Sequence, residues 1–368
     1  MGLSVRASMP AANLAIAVQA LPHLAAAKAI FLWGVVKNLF FQPGSTFSLV
    51  SLLSALIIAS LFIALRRAGR GRRISPKLIV RALFPRWLLT SASTRADLGF
   101  FLLNVFAVGG LIGWALLSFS AVSQWTAGGL THLFGTGGGL RMNHGLAVAA
   151  LTVISFLVYE LAYWIDHYLS HEVPFLWEFH RVHHTAETLT PVTVFRVHPI
   201  DTLVFYNITA LMMGATDGAA AYLLGWPVSG ATLFGNNVIL LAFIFCTVHL
   251  QHSHVWIAFT GVWGRLFASP AHHQIHHSAN PAHFGKNLGS CLAVWDWLFG
   301  TLRIPTVTRE PLVYGVEPGE DSPHTITGGL ITPFVRAFTG LARGARRWLP
   351  AWAAIAPNRP ASEMTDPL

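Results

Sequence analysis

Charge is scarce in this chain, and most of what there is has one sign. Only 11% of the 368 residues are Asp, Glu, Lys or Arg, against 54% apolar side chains, and 24 basic residues stand against 15 acidic ones. A soluble domain carries about 25% charged residues, so there is too little charge to coat a soluble globule of this size. Cysteine is nearly absent. Cys246 and Cys291 cannot build a disulfide framework or a thiolate zinc or iron–sulfur site. No Gly-rich turn follows a strand pattern, and the glycines at 135–139 lack the Lys-Ser/Thr of a phosphate loop. Disorder over most of the length is excluded by 25 Phe and 13 Trp. The net charge of +9 invites a nucleic-acid partner, but the basic residues bunch beside apolar runs. That placement suits an anionic membrane surface, and no nucleic-acid partner is expected.

Runs of about 20 apolar residues are long enough to cross a bilayer core. Phe47 to Leu65, Leu98 to Phe119 and Gly145 to Ile165 qualify. Thr202–Trp226 and Thr232–Leu250, split by Pro227, Ser229 and Gly230, read as a helical hairpin whose first arm is compromised by Asp217. Ala11 to Phe41 is apolar but holds Lys28 and Lys37, so it is a span, an interfacial helix or a signal-like segment. Residues 66–97 carry nine Lys or Arg (Arg66, Arg67, Arg70, Arg72, Arg73, Lys77, Arg81, Arg86, Arg95) against Asp97, whereas Ser120 to His144 carries only Arg141. The positive-inside tendency puts 66–97 in the cytoplasm and 120–144 outside. Parity then brings the chain inside again after Ile165 and near His249. The expected fold is all-α, an integral-membrane bundle of about four to six spans with a cytoplasmic histidine-rich cap.

Of 18 His, 14 fall between His167 and His283. They form groups: His167-x-x-x-His171, then His180-x-x-His183-His184, then His198. His249, His252 and His254 follow the last apolar run, and His272-His273-x-x-His276-His277 closes the series. Residues three and four apart share a helical face, so His167 and His171 can serve one ion. In each HxxHH the i and i+3 residues share a face and the adjacent His projects about 100° away, which calls for two ions between the helices. Imidazole without thiolate suits iron, zinc, copper or nickel. All these groups fall at the ends of spans assigned to one side, although sidedness was read without the histidines. His23, His132, His144 and His324 stand alone and are given no role.

The three boxes His167–His171, His180–His184 and His273–His277 resemble those of the fatty acid hydroxylase/sterol desaturase superfamily of integral-membrane di-iron oxygenases. The residues between them agree: Leu176-Trp177-Glu178-Phe179-His180, Arg196-Val197-His198-Pro199, His252-Ser253, Pro270 to Ser278, and Asn287-Leu288-Gly289 through Trp295-Asp296-Trp297-Leu298-Phe299-Gly300-Thr301. The similarity runs from about Tyr159 to Pro305. Tyr168, Thr185, Asp201 and Glu160 depart from commoner family residues without touching a ligand position. The resemblance implies a ligand set of His167, His171, His180, His183, His184, His252, His273, His276 and His277. His249, His198, His283 and His272 are candidates for an additional ligand or for outer contacts. Ligating His pass their other ring nitrogen to a carboxylate or carbonyl, and Glu160, Asp166, Glu178, Asp201 and Asp296 are the acids at hand.

That resemblance further implies two iron ions, with zinc able to replace them in purified protein. The implied reaction is O2-dependent hydroxylation or desaturation of a lipid C–H bond in the bilayer. A sterol or hopanoid, fatty acyl chain, ether lipid or carotenoid would serve as substrate. With no cofactor-binding pattern of its own, the chain would draw electrons from a separate cytoplasmic ferredoxin or cytochrome. The rival is a membrane metal-binding or metal-transport protein. A zinc hydrolase fails, because His171-Glu172 is followed by Pro174 and Phe175 where an HExxH helix needs its second His. The chain divides into 1–97 (membrane segment and basic loop), 98–305 (catalytic domain) and 306–368 (a Pro- and Arg-rich tail). Within that tail 333–349 suggests a basic helix on the membrane, and 350–368 is expected to be unstructured.

Overall fold

The computed structural model of the chain describes residues 26–108, 113–316 and 324–348. They are mostly helical, and the only strands among them are β1 (Thr232–Leu233) and β2 (Asn236–Asn237), an antiparallel pair in one loop. Helix α1 covers residues 26–36 and runs into a wide turn at Lys37–Phe41. The remainder of the expected Ala11–Phe41 segment lies outside the described residues.

Ser48 starts α2 (Leu49–Ala68) by accepting the Ser51 amide, and Arg66 and Arg67 close its last turn, where cations suit the negative end of the helix dipole. The basic stretch after it folds into short helices, α3 (Pro76–Leu83), α4 (Arg86–Thr90) and the start of α5 (Ala92–Leu103). The expected span Leu98–Phe119 is not one helix. α5 loosens into a wide turn at Asn104–Val108, and Ser118 caps a separate α6 (Phe119–Phe134). Most of the loop expected at 120–144 is therefore helix, and the true connection is 135–143. Small residues explain this: Gly214 and Gly218 of α9 (Pro199–Leu224) lie against the α6 backbone at Phe119 and Ser123, leaving no room for a Cβ. Asp217, the blemish in the apolar run, accepts a 2.7 Å hydrogen bond from Ser123 Oγ.

Two described helices are long and apolar enough to cross a membrane, α2 and the 29-residue α7 (His144–Glu172). The expected hairpin resolves into α9, the β1–β2 loop and α10 (Val238–Gln251). At about 1.5 Å per residue α10 is roughly 21 Å long, short of a core about 30 Å thick.

α7 and α8 (Pro174–His184) are separated by Val173 alone. Pro174 disfavours helix in the residue before it and fits the first position of the next. The chain therefore doubles back just past His171. After α10 come α11 (Gly261–Leu266), α12 (Pro270–His276) and α13 (Val294–Phe299). The basic helix expected at 333–349 is longer: α14 (Ile326–Trp348) lies on the back of α8, with Phe334 against Phe179 and His198 and Phe338 against Phe175.

One ion pair ties these parts together. Arg196 Nη1 meets Asp97 Oδ1 at 3.0 Å with both side chains 0% exposed. Arg196 Nε donates to Val182 O and Thr185 Oγ1, and Thr193 Oγ1 donates to Asp97. His324, given no role from sequence, sits 3.0 Å from Arg196 Nη2. Removing one partner of a buried pair typically costs about 3–5 kcal/mol. Asp97→Ala and Arg196→Ala should each lower the thermal midpoint of detergent-purified protein strongly. The double variant should lose less than the sum of the two.

Candidate metal centre

Four pieces of chain meet at one end of the bundle: the last turns of α7, the whole of α8, the residue after α10, and α12. His167 and His171 are one turn apart on α7. His180, His183 and His184 lie on α8, His252 follows α10, and His273, His276 and His277 sit on α12 and at its cap. α12 starts with a reciprocal cap in which Ser269 and His272 satisfy each other, fixing its entry into the site.

The nine histidines divide into two adjoining groups. His167, His171, His180, His184 and His276 form one, and His183, His252, His273 and His277 the other, with the ligand atoms of each group within 4.8 Å of one another. The division corrects the face assignment made from spacing. In each HxxHH it is i and i+4 that act together (His180 with His184, His273 with His277), while the i+3 residue turns to the other group. Four residues advance about 400° around a helix and three about 300°, so i+4 lies about 40° from i whereas i+3 lies about 60° away on the other side. The groups interlock through adjacent pairs, and the His184 and His277 rings stack at 4.6 Å.

Hydrogen bonds set the tautomers. His167 Nδ1 donates to Leu288 O at 2.7 Å and His276 Nδ1 to Lys286 O at 3.0 Å. His180 Nδ1 faces Asp201 Oδ2 at 3.1 Å. Carbonyls and carboxylates only accept, so the proton is on Nδ1 and Nε2 offers a lone pair inward. In the first group the Nε2 atoms of all five histidines are buried without a hydrogen-bond partner. In the second, His252 Nε2 lies 3.1, 2.9 and 3.2 Å from the Nε2 atoms of His183, His273 and His277. Ligands about 2.0–2.1 Å from a tetrahedral ion are roughly 3.3 Å apart, so this quartet is shaped like an ion's coordination shell. Burial and neighbouring imidazoles push His252 and His276 down to about 3 and hold His183, His184, His273 and His277 well below the usual histidine range. These six rings are therefore neutral at physiological pH, the form that ligates metal.

The remaining candidates do other work. His249 contacts Thr46 O and Ser51 Oγ; His198 caps α9 and reaches Leu330 O; His272 belongs to the α12 cap; His283 faces Glu310 at 3.9 Å. His254 bonds Ala82 O. None of these joins either group. Among the acids only Asp201 touches a histidine of the groups. Glu160 accepts the Cys291 and Leu292 amides, and Asp296 accepts the Leu288 and Gly289 amides, Trp164 Nε1 and Thr301 Oγ1. Asp166 is buried with Oδ1 unpartnered, and Glu178 pairs with Arg181 at 3.7 Å.

Sequence reasoning missed the two backbone carbonyls, Lys286 O and Leu288 O. Asn287 sits between them at φ 57° and bonds His272 O and Arg303 O. The signal was present in the Asn-Leu-Gly and Trp-Asp residues, which hold this loop rather than a ligand.

Residues 152–301 match the family model described as Fatty acid hydroxylase. Ornithine lipid hydroxylase of Rhizobium tropici is 30% identical over 159 residues, 43% of this chain and 43% of its own. Human alkylglycerol monooxygenase is 27% identical over 165 residues, 44% and 32% of the two chains. Human cholesterol 25-hydroxylase is 28% identical over 155 residues, 41% and 50%. The chain thus spans half or less of the length of these relatives. No solved structure matches. The resemblance first carried by the histidine boxes is borne out over this segment.

Losing the partner of a metal-bound histidine typically costs 10–100-fold in metal affinity. Asp201→Ala should weaken Co2+ binding to chelator-stripped protein by about that factor, read by optical titration, with Asp201→Asn falling between it and the unsubstituted protein.

Proposed function

We propose that this fatty acid hydroxylase segment forms a membrane di-iron oxygenase, which hydroxylates or desaturates a lipid C–H bond with O2 and electrons from a separate ferredoxin- or cytochrome-type donor. One observation carries the proposal: two adjoining, buried, nitrogen-only groups, one with five Nε2 atoms that have no hydrogen-bond partner and the other with the Nε2 atoms of His183, His273 and His277 gathered within 3.2 Å of His252 Nε2. An all-imidazole donor set fits iron. His167, His171, His180, His184 and His276 would hold one ion, and His183, His252, His273 and His277 the other. Iron bound there would supply the O2-dependent oxidising power that no side chain has.

The protein's own part is to position and to exclude water. Asp201, Lys286 O and Leu288 O aim three rings. Glu160 and Asp296 hold the 286–292 loop from which two of those contacts come. The site is buried, so water is kept from the reacting centre. α7 is roughly 43 Å long at about 1.5 Å per residue, longer than the hydrocarbon core. Its final turns would therefore stand just beyond the membrane, within reach of a lipid sliding between helices. The basic segment after α2 supports placing this end in the cytoplasm, with the chain multi-pass. The relatives named above act, by their names, on ornithine lipid, alkylglycerol and cholesterol. What these share is a lipid C–H, and a sterol or hopanoid, acyl chain, ether lipid or carotenoid remains the substrate range. A transporter would string ligands along broken helices at mid-membrane. Here the nine histidines close on one another at helix ends.

Anaerobically purified protein should contain about two iron ions per chain. It should consume O2 only with lipid and a reduced donor, and a strain lacking it should lose one oxygenated or desaturated lipid. His183→Ala and His184→Ala should each lower iron content and cut turnover by more than about a hundredfold, beyond what loss of an outer partner costs. Zinc loading should fill the site without turnover. Full activity in His183→Ala, or ion uptake into vesicles without turnover, would refute the proposal.

A further inference from the structure

Away from the histidine groups, the end of α2 and the chain just past His252 enclose a second concavity, of about 260 Å³. Arg66, Arg67, Arg70 and Arg72 line it from the α2 side and Arg309 from the other. No Asp or Glu lines it, and among the described residues none of these five arginines forms a salt bridge. Their other engagements are weaker. Arg67 Nε donates to Arg73 O at 2.9 Å, and Arg66 lies 5.9 Å from the centre of the Phe62 ring. Neither neutralises charge. Five like charges in one hollow repel, and an anion seated among them would relieve that repulsion while gaining several charge-assisted hydrogen bonds.

The chemistry of the wall narrows the occupant. Guanidinium forks match the oxygens of phosphate, and several can share one tetrahedral group where a carboxylate is saturated by one fork. The other face of the hollow is apolar, with Phe62 and Ile63 from the last turns of a helix long enough to cross a membrane, and buried Trp256. Exposed Trp87, 5.9 Å from the His254 ring, stands beside it, as aromatic residues do at membrane interfaces. A cationic mouth over an apolar wall, where a spanning helix leaves the bilayer, suits a head group with acyl chains attached. The volume is below the roughly 300–1,000 Å³ that encloses a drug-sized ligand, so it admits a head group and leaves the chains outside. A docked protein would need a face of about 800 Å² on each side, not a hollow of this size.

We propose that this concavity binds the phosphate of an anionic membrane phospholipid and thereby seats the basic turn after α2 on the leaflet next to the metal centre. The site is independent of the oxygenase chemistry and stands or falls without it.

The test uses the full chain, delipidated in mild detergent and titrated with phosphatidylglycerol, phosphatidylcholine or inorganic phosphate. Native mass spectrometry reads bound lipid and a thermal scan reads stabilisation. Phosphatidylglycerol should be retained and raise the midpoint, and the other two should do neither. Arg66→Gln/Arg70→Gln/Arg72→Gln should weaken phosphatidylglycerol binding at least about tenfold. Lys77→Gln/Arg81→Gln/Arg86→Gln, equal in charge but outside the hollow, should leave it unchanged. If the first triple variant does not fold, Arg70→Gln and Arg72→Gln, both on exposed side chains, should each weaken binding about fivefold. Equal losses in the two triple variants would reduce the effect to diffuse surface charge and overturn the proposal. So would inorganic phosphate binding as tightly as the lipid, or a pocket variant that keeps the lipid but loses reduction by an acidic electron carrier.

Discussion

The structure is organised around lone pairs that have nowhere to go. A neutral imidazole has one donor and one acceptor. When its donor nitrogen is committed to a carbonyl or carboxylate outside the cluster, the acceptor faces whatever lies inside. His167, His180 and His276 are held in this way, and what they face inside is other imidazoles, buried and away from water. Hydrogen bonds among them cannot satisfy the set, and protonation is opposed by burial and by the neighbouring rings. Only a cation satisfies every lone pair at once. The local architecture brings this about: the one-residue joint at Val173, the Ser269–His272 cap that sets α12, and the loop that presents Lys286 O and Leu288 O.

The acids show how a mostly apolar protein uses few charges. Asp97, Glu160 and Asp296 are buried, and each accepts hydrogen bonds from elements distant in sequence. A buried carboxylate is costly unless its oxygens are filled. Each filled oxygen in turn fixes a loop that could not be held by apolar packing alone. Asp296 fixes the amide of Leu288, whose carbonyl aims His167, two residues from Lys286, whose carbonyl aims His276. Asp201 alone is spent directly on a histidine of the cluster. Scarce charge is thus concentrated where the backbone must be irregular.

Much of this was legible in the sequence because histidine is both rare and periodic there. The boxes could be found by spacing, and their convergence follows from helix ends that meet. Other features had no such signature. α6 was hidden because Gly, Ser and Thr dilute its apolar pattern, and its fit is to the glycine groove of α9. The break after Leu103 could not be placed, since Asn104 looks like one polar blemish in an apolar run. The face assignment within HxxHH failed by a small angle, about 40° against about 60°, which only the position of the second group decides. Lys286 and Leu288 act through carbonyls, and a side-chain alphabet cannot show that. The place of His324 depends on Arg196 being buried, which its charge argues against until Asp97 is seen beside it.

The membrane placement proposed above would link the two sites. α2 and α7 differ in length by nine residues, 20 against 29, and both bring chemistry beyond their apolar windows. On α7, in the membrane placement proposed above, the surplus would carry His167 and His171 past the hydrocarbon. At the end of α2, Arg66 and Arg67 begin the cationic turn, and residues 254–256 join that turn directly to the segment holding His252. A helix that stopped at the bilayer surface would leave its histidines among head groups, where water competes for every nitrogen. Extending the helix and folding α8 and α12 over it buries those nitrogens in a dry pocket of the protein's own making. If both proposals hold, the length of α7 and the charge that follows α2 are two halves of one solution: one would lift the cluster out of the hydrocarbon, and the other would hold the lifted cap against the membrane.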